Sequence, residues 1–171
     1  MQHAAKNPCE GREFPLPDVA ATERLGVKLA DCLAPGQVIY LEGDLGAGKT
    51  TLTRALLRAL GYTGPVKSPT YSLVEVYVVS RLYLYHFDFY RFLSPEEFVD
   101  AGLDEYFRKD SVCLVEWPDK ASGYVPPADV RLSFRHRAFG DVAGRACAPV
   151  ACSEEGRQCL KNLYPLWDAP D

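Results

Sequence analysis

Gly43-Asp44-Leu45-Gly46-Ala47-Gly48-Lys49-Thr50 decides how this sequence is read. It completes the pattern G-x-x-x-x-G-K-[ST], a loop that cradles phosphate. Each residue type has a reason. Glycines let the backbone turn so that successive N–H groups face one anion. A helix that starts at the lysine adds its positive N-terminal end. Lys49 can reach the β- and γ-phosphates, and the Thr50 hydroxyl can serve Mg²⁺. The flanks agree. Gln37–Glu42 is a short β-branched and aromatic run that reads as a strand. Lys49–Leu60 carries Leu52, Leu56 and Leu60 at helical spacing, with Gly61 placed to end the helix.

Working outward, Asp18 is placed to cap a helix over 19–33, with Leu25, Leu29 and Leu33 as its apolar stripe. Pro35-Gly36 stops it. Tyr71–Val79 and Leu82–Phe87 read as strands whose connection is too short for a crossover, which predicts an antiparallel hairpin. Ser94-Pro95-Glu96-Glu97 has the form of a helix start. Val112–Val115 is wholly apolar, as a strand buried on both faces should be. Further strands are expected over 130–134 and 146–151, and a closing helix over 154–163. The sum is an α/β chain with a three-layer sandwich and a mixed sheet, of the P-loop NTPase-like kind. One domain is expected over 14–163, with tails at 1–13 and 164–171.

Two carboxylates stand out. Glu116 ends the most apolar strand, where a phosphate-loop enzyme needs a carboxylate for the metal shell. The alternative is a strand-end acid facing water. His86-Phe87-Asp88-Phe89-Tyr90-Arg91 alternates so that His86, Asp88 and Tyr90 share a face if the segment stays extended. Asp88 either orients the attacking water and the metal shell, or is a structural acid that pairs with Arg91 or caps a turn. His86 reads as a packed or hydrogen-bonded histidine rather than a base. Lys67-Ser68-Pro69-Thr70-Tyr71 is polar and hydroxyl-rich, and sits where such proteins carry a segment that senses the γ-phosphate. Thr70 is its candidate sensor; an ordinary loop is the alternative.

Composition bounds the rest. The chain has 171 residues and a formal charge of −4, which argues against a broad basic face for nucleic acid. No apolar run is long enough to span a bilayer, and Met1–Arg12 lacks the apolar core of a secretory signal, so a cytoplasmic location is expected. The six cysteines show no C-x-x-C pair and are expected as free thiols rather than disulfides or a zinc site.

Four blocks in this order resemble the TsaE (YjeE-type) family: 43–51, 66–71, 86–91 and 114–118. The likeness runs from about Phe14 to Gly156. It implies an ATPase component of the machinery that installs threonylcarbamoyl on tRNA adenosine, working with TsaB-like and TsaD-like proteins and meeting tRNA indirectly. It implies ATP and Mg²⁺ as cofactors, with Gly46, Ala47, Gly48, Lys49, Thr50 and Thr51 around the nucleotide. Thr50 and Glu116 would serve the metal, and Lys49, Asp88 and Glu116 the chemistry. Trp117 and Thr70 would lie near the nucleotide, and Arg145 would approach it. The absence of an Asn-Lys-x-Asp signature favours ATP over GTP. Two other readings stay open. One is a small-molecule kinase, although Arg81, Arg91 and Arg108 make no arginine-dense lid. The other is a nucleotide-gated binding protein with incidental hydrolysis.

Overall fold

The computed structural model describes residues 12–171; the expected tail over 1–13 lies mostly outside them. Strand β1 (Phe14–Leu16) leads into helix α1 (Val19–Ala30), whose cap is Asp18, its carboxylate accepting from the Ala21 N–H. Strand β2 (Val38–Glu42) runs through the phosphate loop into α2 (Lys49–Ala59). Gly61 then turns with positive φ, and the Tyr62 N–H returns to the Leu57 carbonyl.

Strands β3 (Val74–Val79) and β4 (Leu82–Asp88) form the expected antiparallel hairpin. The helix start at Ser94 is only half realised. Glu97 does reach back to the Ser94 N–H at 3.0 Å, but α3 is a single turn, Glu97–Asp100. Strand β5 (Ser111–Glu116) is buried at every residue. Strands β6 (Val130–Phe139) and β7 (Val142–Ala151) form a longer hairpin than the apolar runs indicated, because their outer halves are solvated and carry little hydrophobic signal. Helix α4 spans Glu154–Asp168.

The sheet order is β1-β7-β6-β2-β5-β4-β3. The middle four strands, β6-β2-β5-β4, are parallel, and the outer pairings are antiparallel. One face packs against α1, α2 and α4 through Leu25, Leu29, Leu52, Leu56 and Leu160. The other is covered by a thinner aromatic layer holding Phe87, Phe89, Phe92 and Phe98. Helices α1 and α2 meet backbone to backbone at Gly26, where a Cβ would fall 2.5 Å from the Leu52 carbonyl oxygen.

The segment 164–171 is structured. Helix α4 continues through Pro165 to Asp168, and Phe14 stacks on Tyr164 at 5.1 Å and meets Trp167 edge-on at 5.3 Å. Arg24 donates to the carbonyls of Trp167 and Ala169 and to the Asp171 carboxylate. Strand β1, which the sequence does not announce, thus sits between β7 and the end of the chain. Among the described residues five cysteines are free thiols, of which only Cys152 is exposed. Burial pushes Cys113 and Cys159 up to about 12. No helix among the described residues is long and apolar enough to cross a membrane.

Candidate nucleotide site

The parallel strands β2, β5 and β4 end side by side, and their C-terminal edge is where an α/β sheet opens a crevice. The loop after β2 turns on Gly43, Gly46 and Gly48, all with positive φ. At Gly43 the turn leaves no room for a side chain, since a Cβ would stand 2.7 Å from the Phe134 carbonyl oxygen. Parallel register sets Asp88 at the end of β4 directly beside Glu116 at the end of β5. A cleft of about 190 Å³ is lined by Gly46 to Thr51, Ser68, Thr70, Asp88, Glu116 and Trp117. The fold therefore brings every expected site residue except Arg145 to one place, among them Lys49, Thr50, Thr70, Asp88, Glu116 and Trp117.

Three of them are charged and nearly inaccessible: Lys49 is 5% exposed, Asp88 4% and Glu116 3%. Burial lowers the Lys49 ammonium, opposed by Glu116, Asp88, Asp44 and Asp119. Burial raises Asp88, and the Glu116 carboxylate beside it raises it further. Burial would raise Glu116 too, but His86, Lys49 and Asp88 outweigh it and hold that carboxyl below its ordinary range. The two neighbouring acids are thus shifted in opposite directions, Asp88 up and Glu116 down. Two carboxylates against one ammonium leave a formal deficit of positive charge. Among the described residues no group of three or more His, Cys, Asp or Glu side chains is arranged to hold a metal alone. A hard cation that takes phosphate and water oxygens, with Thr50 and Glu116 as its protein contacts, fits this donor set.

Each side chain is anchored. Lys49 Nζ donates to the Gly43 carbonyl and stands 4.5 Å over the Trp117 ring. Trp117 adopts a left-handed backbone (φ 56°), uncommon for a bulky residue, and packs on Tyr90 at 5.1 Å. Asp88 Oδ1 accepts from the Tyr90 N–H at 2.9 Å, so this acid does cap a turn, while its other oxygen faces Thr70 Oγ1 at 3.5 Å. The Leu73 carbonyl accepts from the Asp88 N–H at 3.1 Å, tying the 67–73 loop to the strand end. Arg91 does not pair with Asp88; its guanidinium lies over the Tyr71 ring, 4.2 Å away. His86 is packed as expected, but neither ring nitrogen has a hydrogen-bond partner.

Arg145 lies on the opposite side of the loop. It reaches the Gly46 carbonyl at 3.4 Å and lines a second cleft of about 220 Å³ with Leu16, Pro17, Asp18, Val19, Thr22 and the loop itself. Sequence reasoning named the loop residues but missed the members outside it, Leu16, Pro17, Val19 and Thr22 among them, as parts of a site. Nothing local marks them, because pairing of β1 with β7 brings them there.

Fold and loop together define a P-loop NTPase-like protein. The sequence model of the family described as "Threonylcarbamoyl adenosine biosynthesis protein TsaE" matches residues 16–143, and the chain belongs to that family. It is 48% identical over 123 residues to the tRNA threonylcarbamoyladenosine biosynthesis protein TsaE of Haemophilus influenzae, covering 69% of this chain and 78% of that one. It is 42% identical over 144 residues to the Nostoc protein of the same name, covering 81% and 86%. A crystal structure of Bacillus subtilis YdiB superposes with a TM-score of 0.69 at 31% identity, covering 90% of this chain and 94% of that one. The matched family region contains every expected site residue except Arg145.

Proposed function

We propose that this protein is an ATPase that binds ATP with Mg²⁺ at the 43–50 loop and hydrolyses it slowly. It does so in support of threonylcarbamoyl transfer to tRNA adenosine, in the cytoplasm, beside TsaB-like and TsaD-like proteins that meet the tRNA. The observation that carries this reading is the placement of Lys49, Asp88 and Glu116, all buried, around one cleft under the loop. The relatives' shared name supplies the biological setting.

In this reading the loop's N–H groups and Lys49 bind the phosphates. Thr50 and Glu116 would hold the Mg²⁺ shell, and the bound ion would supply positive charge for the phosphate oxygens. Asp88, whose carboxyl burial pushes up, orients and accepts a proton from the attacking water. Thr70, joined to Asp88 through the 67–73 loop, reports whether the γ-phosphate is present. Arg145 and the second cleft take the nucleoside end. The kinase reading is disfavoured by the lining of the phosphate cleft, which contains none of Arg81, Arg91 or Arg108. The test is release of phosphate from ATP by the purified chain, alone and with its TsaB-like and TsaD-like partners. Mg²⁺-dependent release is expected. Tight ATP binding with no release in either condition would move the protein to the nucleotide-gated reading.

A further inference from the structure

Behind Glu116 sits a side chain that this chemistry leaves unused. His86 lies on β4 two residues before Asp88, on the same face of the strand, and is wholly buried. Its Nε2 stands 3.6 Å from Oε1 of Glu116. Neither ring nitrogen has a hydrogen-bond partner, and neither does that carboxylate oxygen. The separation is too long for a hydrogen bond, and all three atoms are shut off from solvent. Buried polar atoms are normally satisfied, and leaving one unmade is a net cost to the fold. A histidine retained for packing alone would bond to a backbone group, or its place would be better filled by an apolar side chain.

We propose that His86 is a positioning residue whose Nε2–H holds Oε1 of Glu116, leaving the other carboxylate oxygen for the cleft that Glu116 lines. The inference rests on the ATPase reading above. Hydrogen bonds from behind a metal ligand fix its orientation and basicity. An approach of under about 1 Å turns the observed contact into such a bond. Asp88 has its own anchor in the Tyr90 N–H. The two neighbouring carboxylates thus have separate donors, and losing His86 removes the one on Glu116 while leaving the Asp88 anchor in place.

The test compares His86→Leu, which keeps the bulk without the nitrogens, with His86→Gln, which keeps an N–H donor. Three quantities are read: the thermal midpoint without nucleotide, the Mg²⁺ concentration that half-saturates tight ATP binding in calorimetry, and turnover at saturating ATP. For the leucine variant the midpoint should equal or exceed that of the wild type. Its Mg²⁺ requirement should rise, and its turnover fall, by about 10–100-fold, with the glutamine variant back to within about fivefold of wild type. A leucine variant whose Mg²⁺ requirement stays within twofold of a Mg²⁺-dependent wild type overturns the inference alone. So does a leucine variant of lowered midpoint whose defects glutamine fails to restore, which is the behaviour of a packing residue. A wild type without Mg²⁺-dependent ATP binding overturns the ATPase reading and this inference with it.

Discussion

The two clefts that flank the phosphate loop are built from opposite materials. One gathers Thr70 and the buried charges of Asp88, Glu116 and Lys49 into one space. The other is lined largely by Leu16, Pro17, Val19, Ala143 and Gly144, with the Arg145 guanidinium and the Asp18 carboxylate as its charged groups. The first has the means to move protons and hold a cation. The second offers mostly apolar surface, one cation and an acid already engaged as a helix cap, which suits binding without chemistry. Substitutions of the acids on the first side should therefore change rate, whereas those on the second should change affinity alone.

The largest effect is expected at the two acids. Asp88→Asn and Glu116→Gln each remove a negative charge from beside the phosphates, which cannot weaken attraction for them. Both should keep ATP binding and lose on the order of 10²-fold or more in turnover. Glu116→Gln should also blunt the Mg²⁺ dependence of binding more than Asp88→Asn does. Turnover within twofold of wild type in both variants, measured with the partner proteins, would erase the contrast between the clefts. Lys49→Ala comes next. It removes the one ammonium in the charged cleft, and ATP affinity should fall by about 10–100-fold, the range expected for a lost charge-assisted bond. Unchanged affinity in calorimetry would unseat the loop as the phosphate site. Arg145→Ala should do least. Its affinity for ATP should drop by a few fold, on the order of 1 kcal/mol, with turnover at saturation unchanged. A fall in saturated turnover instead would carry Arg145 across to the chemical side.

The charged cleft was legible in the sequence because its parts are short motifs whose residue types follow from the chemistry. A phosphate loop must be glycine-rich, and a carboxylate at the end of an all-apolar strand announces itself. Even there, parallel register of β4 and β5, which places Asp88 against Glu116, had to come from the structure. The second cleft was illegible for a physical reason. Phe14-Pro15-Leu16 is too short to read as a strand, and what fixes it is pairing with Arg145–Cys147 and stacking against Tyr164 and Trp167. The same blindness made Tyr164–Asp171 read as a tail. Its Pro165 suggests a break, but it falls within the last turn of a helix whose end is held by Arg24. The fate of Arg91 was equally hidden, since no spacing rule distinguishes an arginine bound for Asp88 from one that lies over Tyr71.

Gly26 lines neither cleft, yet it sets a mechanical condition on them. The peptide backbone of α1 rests there on the first turn of α2, on Leu52, whose N–H bonds to the carbonyl of Gly48 in the phosphate loop. Between most helices a layer of side chains acts as a compliant spacer. Here the spacer is missing, so the two helices bear on one another like hard surfaces. A single methyl group added at residue 26 would have nowhere to go except into that bearing. The phosphate loop would be levered out of shape by a residue that never touches the nucleotide.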